Sequence, residues 1–319
     1  MRRPALLVMA LSLGCRDAHP APPAWPTVSL ACAPPSPPRF PWRHRTSGLT
    51  SQLGAPRHVA EDVVVAAGRA ATLRGKFSYG LLGKDLEDER VAALVAPRAC
   101  AAAPAGDALT DDDGWVAVTL PAQPTGFRQA WLVAGDGTGA DAGVWTLAPG
   151  TPTVVFDVDG TLTTDDGELF EELAGGVAEA RPGAAAVVQA WAARGYLVVY
   201  LTGRPYLLRD STRRWLDSQG FPYGPLFTPE RLRQTLPTRA SVGAFKLTAL
   251  RALIASGAQL VRVYGNAATD VCAYAEAGVA PSATIILGTS TPCDRFPPPR
   301  TLSDYRAHLA EVEAAPRVR

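Results

Sequence analysis

The sequence predicts a smaller, antiparallel all-β sandwich followed by a larger α/β domain with a parallel sheet. Between residues 58 and 150, short β-type runs alternate with turn residues, and no long helical period interrupts them. After residue 150, apolar strands alternate with helical segments, which is typical of a parallel sheet covered by helices on both faces. A length of 319 residues is enough for two ordinary domains.

The first fifteen residues have the pattern of an export signal. Arg2 and Arg3 precede a nine-residue, mostly apolar stretch, 5–13, whereas a membrane-spanning helix needs about 20 residues. The stretch ends in Leu-Ser-Leu-Gly-Cys, which resembles a bacterial lipoprotein signal with Cys15 as the lipid anchor. This resemblance implies an exported protein, periplasmic or anchored to the outer membrane of a bacterium. A plain signal peptide cut elsewhere is the alternative.

Residues 16–57 are predicted to be a proline-rich tether. Nine prolines lie between residues 16 and 43, and such a segment favours an extended chain over a helix or a central strand. A tether of this kind would hold the folded domains away from a membrane.

Export would permit disulfides. Apart from Cys15, the cysteines are Cys32, Cys100, Cys272 and Cys293, which allow three complete pairings that the sequence does not distinguish. A bridge between Cys272 and Cys293 is attractive because both lie in the C-terminal half, and buried free thiols are the alternative.

The sandwich, residues 58–150, is predicted from six β-type runs separated by turn residues. Two glycine-containing turns, 111–114 and 135–139, lie between such runs and are interpreted as turns, not as calcium or nucleotide loops. The predicted strands are 63–66, 71–79, 91–96, 115–120, 129–134 and 144–147.

The α/β domain, residues 151–290, is predicted from alternating strands and helices, and residues 291–319 are assigned to a tail with a short helix. Pro182 suits the first turn of its helix, and Gly195 follows the end of the same helix. The predicted strands are 153–156, 196–201, 260–264 and 284–287, and the predicted helices are 182–194, 205–219, 244–256 and 268–277.

Polar residues follow the predicted strands of this domain at the ends where ligands bind in open parallel sheets. Two aspartates directly follow the first strand, and a threonine directly follows the second. A lysine lies near the start of a helix, and a loop with a carboxylate follows a further strand. The four features are Asp157-Val158-Asp159-Gly160-Thr161, Thr202-Gly203-Arg204, Lys246, and Gly265-Asn266 followed by Asp270.

In this order, the four features resemble the motifs of the haloacid dehalogenase (HAD) superfamily of phosphohydrolases over about residues 152–290. The resemblance implies a HAD-like Rossmannoid three-layer α/β fold. A narrower similarity, to the lipin/LNS2 group, implies that the chain is a magnesium-dependent phosphatidate phosphatase or a silent domain that binds phosphatidic acid. The same similarity implies that the preceding sandwich is of immunoglobulin type. It is carried by DGTLT with Asp166, Arg181-Pro182-Gly183, Gly195-Tyr196, Leu201–Pro205, Gly224–Phe227, and GNxxTD followed by Tyr274 and Gly278.

The residues present are those that hydrolysis of a phosphate ester needs. Asp157 is predicted to attack phosphorus and form a phospho-aspartyl intermediate, and Asp159 to serve as general acid and then general base. Thr202 is predicted to bind a phosphoryl oxygen, and Lys246 to neutralise developing charge. Both carboxylates are present, whereas silent domains are expected to lack one or both.

The resemblance also implies a Mg²⁺ cofactor. Its predicted ligands are Asp157, the backbone carbonyl of Asp159, and Asp270, with Asn266 nearby; oxygen atoms are the ligands that Mg²⁺ prefers. Thr161 and Gly203 are added to Thr202 and Lys246 as predicted substrate-binding residues.

The predicted substrate is phosphatidate or a related phospholipid at a membrane surface. Residues 164–181 could form a flap but hardly a separate cap domain, so the site should be open. The alternatives are a phosphatase for a non-lipid phosphomonoester and a non-catalytic module that binds phosphatidic acid. A net charge of +1 argues against a nucleic-acid partner, and the histidines and cysteines lack zinc-ligand spacing.

Overall fold

The structure is a computed structural model, and it describes most of the chain from residue 38 onward. The predicted export signal with Cys15, the residues Cys32, Cys100 and Asp166, and most of the predicted flap lie outside the described residues. Within the described part, no helix is long and apolar enough to cross a membrane. The described residues are 25–26, 38–96, 101–164, 178–230, 232–236, 238–289, 293 and 296–318.

The N-terminal domain is a β-sandwich, as predicted. One sheet has the strand order β1-β3-β8, the other has β2-β10-β9-β6-β7, and β4 and β5 form a separate hairpin. Alternating side chains of β8 are buried, because Val116, Val118 and Leu120 face the opposite sheet. The strands are β1 Val59–Ala60, β2 Val63–Ala66, β3 Ala71–Lys76, β4 Ser78–Tyr79, β5 Lys84–Asp85, β6 Arg90–Val95, β7 Ala103–Leu109, β8 Trp115–Leu120, β9 Gly126–Val133 and β10 Gly139–Leu147.

This region differs from the sequence-based expectation in several features. The predicted strand 71–79 is divided into β3 and β4, and the two-residue strands β1 and β5 were not predicted. Strand β7 was not predicted, because its Ala-Pro-Ala-Gly-Asp-Ala-Leu sequence lacks β-branched and aromatic residues; pairing along β6 holds it in place. The part of the predicted tether that the structure describes beyond residue 38 packs on the sandwich. It contains helix α1 (Arg45–Thr50), and Trp42 joins the apolar core. Burial of Trp42 offsets the entropy that a free tether would retain.

The C-terminal domain is an α/β domain with a parallel sheet, as predicted. Its six strands have the order β13-β12-β11-β14-β15-β16, and every neighbouring pair is parallel. The HAD assignment of this fold stays a prediction. The strands are β11 Thr151–Asp157, β12 Leu197–Leu201, β13 Leu226–Phe227, β14 Ala258–Gly265, β15 Thr284–Leu287 and β16 Arg300–Leu302, and the helices are α2 Ala184–Ala193, α3 Arg209–Ser218, α4 Ala244–Ala255, α5 Ala268–Glu276 and α6 Arg306–Ala314.

The central strands of the sheet are buried on both faces. All five residues of β12 are buried, as are the last five of β11, which suits their continuous apolar sequences. The predicted C-terminal tail adds β16 to the edge of the sheet and packs α6 near α2. The carboxyl ends of β11, β12 and β14 therefore lie at one edge of a rigid sheet.

The two domains share a buried junction. Strand β10 leads into β11 through three residues, 148–150, and the rings of Phe127 and Trp145 in the sandwich contact Tyr223 of the α/β domain. Asp62 of the sandwich, fully buried, forms ion pairs with Arg209 at 2.7 Å and with Arg213 at 2.6 Å. The sandwich is thereby fixed against the α/β domain by apolar and ionic contacts.

A disulfide joins Cys272 to Cys293, the pairing that the sequence made attractive but did not decide. The two residues are 21 positions apart, and closing a loop of this length removes unfolded-chain entropy worth about 3 kcal/mol of stability.

We expect Cys272→Ser/Cys293→Ser to lower the free energy of unfolding by about this amount in urea titrations. Dithiothreitol should lower the parent to the same value and leave the variant unchanged. Equal stability of parent and variant under oxidising conditions would contradict the prediction.

Candidate active site

Asp157 is the last residue of β11 and lies at the centre of the site. Its side chain is 2% exposed, and Oδ1 accepts a hydrogen bond from Lys246 Nζ at 2.6 Å. Oδ2 accepts a hydrogen bond from the hydroxyl of Thr161 at 3.1 Å. Gly160 makes the intervening turn with a φ of 69°, which favours glycine. The turn brings Thr161 back beside the strand end.

Lys246 lies in the first turn of α4 and bridges two carboxylates. Its Nζ donates to Asp157 and also to Asp270 Oδ1 at 2.5 Å, and all three side chains are at most 5% exposed. Two buried carboxylates beside one ammonium leave an excess negative charge. Burial and the carboxylate of Asp270 raise the pKa of Asp157 well above its usual value, while the two carboxylates raise the pKa of Lys246 despite burial.

Asp270 holds the loop between β14 and α5. Its Oδ2 accepts hydrogen bonds from the backbone amides of Asn266 at 3.1 Å and Ala267 at 3.0 Å, which satisfies donors at the start of α5. A Cβ at Gly265 would lie 2.6 Å from the Asp270 side chain, so the close approach requires glycine there. The Asn266 side-chain oxygen accepts a hydrogen bond from the Thr161 hydroxyl at 3.2 Å.

Asp159 lies beside this cluster and is held by residues that follow β12. Thr202 donates to Asp159 Oδ2 at 2.7 Å, and Arg204 Nε donates to Oδ1 at 2.7 Å. The Asp159 side chain is 20% exposed, whereas Asp157 is almost fully enclosed. Gly203, also a predicted site residue, lies next to Val242, because a Cβ added at Gly203 would lie 3.0 Å from Val242 Cγ2. Asp159 is thus the carboxylate that faces solvent.

The sequence interpretation gave no role to Arg204, which the structure buries completely. Besides Asp159, it donates to the hydroxyl of Thr212 at 3.4 Å. Arg181 was named only within the family pattern, and it donates to the carbonyl of Gly160 at 2.7 Å, which supports the turn after Asp157. The basic residue in Leu-Thr-Gly-Arg was a visible signal, but only the fold shows that its side chain turns inward.

We expect Arg204 to act as a positioning residue for Asp159. If Asp159 is the acid–base group, as the sequence predicts, Arg204→Met should lower kcat about a hundredfold, because the displaced carboxylate loses its alignment with substrate. The variant should also change the pH dependence of kcat, which a purely structural role would leave alone. The control is Arg214→Met, an exposed arginine on α3. An unchanged pH profile with only a lower melting temperature would contradict this role.

A magnesium ion at this site stays a prediction, which only part of the observed geometry favours. The oxygen atoms of Asp157 and Asn266 both lie beside the Thr161 hydroxyl, and a divalent cation would neutralise the excess negative charge. Among the described residues, no group of three or more His, Cys, Asp or Glu side chains is placed to hold a metal. A cation would therefore also need the backbone carbonyl of Asp159. The predicted role of Asp270 as a direct ligand stays a prediction.

Comparisons with known proteins match both domains. Residues 154–288 match the family described as "PITM 1-3, LNS2 domain", and residues 56–145 match "PITM 1-3, beta-sandwich domain". The chain is 30% identical over 296 residues to membrane-associated phosphatidylinositol transfer protein 1 of Rattus norvegicus, covering 87% of this chain and 22% of that protein. It is 27% identical to protein retinal degeneration B of Drosophila melanogaster, covering 88% and 22%.

A third relative is membrane-associated phosphatidylinositol transfer protein 3 of Mus musculus, which is 29% identical over 89% of this chain and 29% of its own length. The chain thus spans less than a third of each of these proteins. A solved structure described as "Structure of PhoD" has a TM-score of 0.32 at 10% identity, over 71% of this chain and 45% of that one, a likeness too weak to bear on function. The family matches support an LNS2 assignment for residues 154–288, with a β-sandwich of the same relatives preceding it.

Proposed function

We propose that this chain is a magnesium-dependent phosphomonoester hydrolase that acts on phosphatidate or a related phospholipid through a phospho-aspartyl intermediate. One observation carries the proposal. A buried carboxylate, Asp157, at the carboxyl end of a central strand contacts a buried ammonium, Lys246, and a second carboxylate, Asp159, lies beside it facing solvent. This is the set of groups that attack, charge neutralisation and proton transfer require.

The proposed reaction has two steps. An Asp157 oxygen attacks phosphorus as the bond from phosphorus to the ester oxygen breaks. In the substrate complex, Asp159 would carry a proton on Oδ2, the oxygen that Thr202 leaves, while Arg204 still holds Oδ1, and Asp159 gives this proton to the leaving oxygen. Asp159 then takes a proton from water, whose oxygen attacks phosphorus and releases inorganic phosphate and free Asp157. Asp159 suits both transfers because its side chain is the more exposed of the two carboxylates.

The residues around Asp157 are proposed to balance the charges that the reaction creates. Lys246 balances the Asp157 carboxylate before attack and the phosphoryl oxygens afterwards, and Asp270 holds Lys246 in place. Thr202, which donates to Asp159 in the structure, would donate to a phosphoryl oxygen once substrate displaces this contact. When bound by Asp157, Asn266 and the Asp159 carbonyl, Mg²⁺ would neutralise phosphoryl charge.

The proposed substrate class rests on the relatives and on the expectation, drawn from the sequence, that no cap domain covers the site. The matching proteins are named as membrane-associated phosphatidylinositol transfer proteins, which supports phospholipid binding by this chain. An N-terminal lipid on Cys15, together with export to a bacterial periplasm or outer membrane, would place the site beside its substrate. Anchor, export and location are proposals drawn from the first fifteen residues.

A second candidate is a non-catalytic module that binds phosphatidic acid. The observation that favours it is the pairing of Asp159 with Arg204, which occupies the proposed acid–base group. The names of the relatives, which refer to lipid transfer and not to hydrolysis, point the same way. In this alternative, Lys246 and Thr202 would hold the phosphate head group without turnover.

Phosphate release would test the proposal. The chain is assayed with Mg²⁺ on phosphatidate in mixed micelles and on p-nitrophenyl phosphate, with Asp157→Asn as the inactive comparison. Release from phosphatidate that needs Mg²⁺ and Asp157 would support the proposal. Release from the small ester alone would support the mechanism and reject a phospholipid as the substrate. Binding of phosphatidate without any release would favour the non-catalytic module.

A further inference from the structure

Two leucines at the tip of the β4–β5 hairpin are almost entirely exposed. Leu81 is 83% exposed and Leu82 is 98% exposed, and they stand between Gly80 and Gly83. The glycines have φ values of 75° and 63°, so the turn itself depends on them. Exposing two adjacent leucines to water is unfavourable, since a buried leucine gains about 1.5–3 kcal/mol. A contiguous apolar surface of this kind marks an interaction site.

The hairpin tip belongs to a larger apolar surface. Leu49 is 65% exposed and Leu53 is 63% exposed, in α1 and just after it. Leu53 lies against the hairpin, because a Cβ at Gly80 would be 3.4 Å from Leu53 Cβ. We call Leu49, Leu53, Leu81 and Leu82 the leucine surface.

The hairpin that carries the tip is firmly held. Ser78 pairs with Asp85 and Tyr79 pairs with Lys84 across its two strands. The Tyr79 ring is buried, and its hydroxyl donates to Asp136 at 2.9 Å. The leucines are therefore presented by a rigid support, as insertion into another phase requires.

Basic side chains flank the leucine surface. Arg45 is exposed and lies one helical turn before Leu49, on the same face of α1. Arg57 is also exposed, and its backbone amide donates to Ser78 at the base of the hairpin at 2.9 Å. Apolar side chains flanked by arginines match a bilayer that contains anionic lipid.

A short series of contacts links the hairpin to the candidate active site. Asp85, three residues after Leu82, pairs with Lys76 at 2.8 Å, and Lys76 lies 6.0 Å from the ring of Trp115. That ring packs 5.1 Å from the ring of Tyr206, two residues after Arg204. Leu207, next in the chain, is 51% exposed. These contacts connect the hairpin to the segment that directly follows Arg204.

We propose that the leucine surface inserts into the interface of an anionic phospholipid bilayer and holds the rim of the active site at the head groups. The insertion itself stands on exposure and charge; its use for catalysis rests on the proposed function. The sandwich domain then has a role, because it carries the hairpin and is fixed to the α/β domain by Asp62.

Binding to vesicles tests the insertion without any need for activity. The full chain carries Cys15→Ser so that no N-terminal lipid contributes, and it is sedimented with phosphatidylcholine vesicles with or without phosphatidate. Leu81→Ser/Leu82→Ser should weaken binding by about tenfold or more, because two inserted side chains are lost. The control is Ile254→Ser, which removes an exposed aliphatic side chain, 41% exposed, near the far end of α4.

Depth measurements test the same point independently of other membrane contacts. Leu82→Trp should bind as well as the parent, and its added fluorescence should be quenched by brominated acyl chains. Ile254→Trp should show no added quenching. With activity present, the serine pair should lose turnover on vesicle phosphatidate and keep turnover on p-nitrophenyl phosphate.

Three results would overturn the insertion. Quenching of Leu82→Trp no greater than that of Ile254→Trp would show that the tip stays outside the bilayer. Equal vesicle binding by the serine pair and the parent would show that the leucines carry none of the affinity. Self-association that the serine pair abolishes, with vesicle binding unchanged, would assign the surface to a second copy of the chain. Inactivity on every ester with bilayer insertion intact would reject only the proposed function.

Discussion

Under the proposed function, replacing Asp157 by asparagine should abolish turnover on every phosphomonoester substrate. The amide cannot serve as the nucleophile that forms the acyl phosphate, so kcat should fall on the order of 10⁴-fold or more. Phosphate release under saturating substrate measures the fall. Acid quenching during turnover should trap phosphate on the parent chain and none on the variant.

The same change also tests the charge balance of the site. Asp157 and Asp270 share the ammonium of Lys246, and removal of one carboxylate leaves a neutral pair of Lys246 and Asp270. The variant should therefore stay folded, with a melting temperature close to that of the parent or above it. The control is Asp112→Asn, an exposed acid in the 111–114 turn, which should change neither activity nor stability.

Retention of more than a few per cent of parental activity by a folded Asp157→Asn chain would reject Asp157 as the nucleophile. A stable variant that is inactive but binds phosphatidate as tightly as the parent would fit the proposal. An inactive parent chain would instead favour the non-catalytic module that binds phosphatidic acid.

Replacing Asp62 by asparagine should destabilise the chain more than any exposed substitution. Its carboxylate accepts hydrogen bonds from Arg209, Arg213 and the backbone amides of Gly143 and Leu226. Loss of the charge leaves the guanidinium of Arg209 buried without its main partner, and breaking such a pair costs about 3–5 kcal/mol. Urea unfolding of variant and parent measures the difference.

The effect should depend on pH in a defined direction. Burial raises the pKa of Asp62, but Arg209 and Arg213 outweigh burial and lower it below its usual value. The lowered pKa means that the ionised group favours the folded state above the unfolded pKa of about 3.9. This contribution is lost as the pH falls through the folded pKa. The difference in the free energy of unfolding between the parent and Asp62→Asn should therefore be largest near pH 7 and become smaller below about pH 4.

Asp210 provides the matched control. It also pairs with Arg209, at 3.2 Å, but its side chain is 51% exposed. Solvent screens such a pair, so Asp210→Asn should cost less than about 1 kcal/mol. Equal losses of unfolding free energy in the two variants would show that burial of Asp62 does not strengthen its ion pairs. A pH-independent loss for Asp62→Asn would show that packing, and not charge, holds the junction.

Much of the fold was predictable from local sequence. Strands β8 and β15 and the start of α4 have the predicted positions, because apolar periodicity and flanking turn residues are properties of neighbouring positions. Strand β7 escaped prediction because its residues have low strand propensity and depend on pairing with β6. Residues 38–57 were expected to be a tether, and their packing depends on Trp42 meeting a distant part of the sandwich.

The four motifs determined which residue types would meet at the edge of the sheet. Parallel strands bring their carboxyl ends together, so Asp157, Thr202 and Asp270 had to lie near one another once the strand order was set. The tertiary structure alone decided how their charges pair. Lys246 reaches two carboxylates, Asp159 turns to a fully buried Arg204, and Asp62 crosses a domain junction 147 residues away in sequence to reach Arg209. Ion pairs between distant residues leave no local pattern, because they depend on the packing of whole elements and not on spacing along the chain.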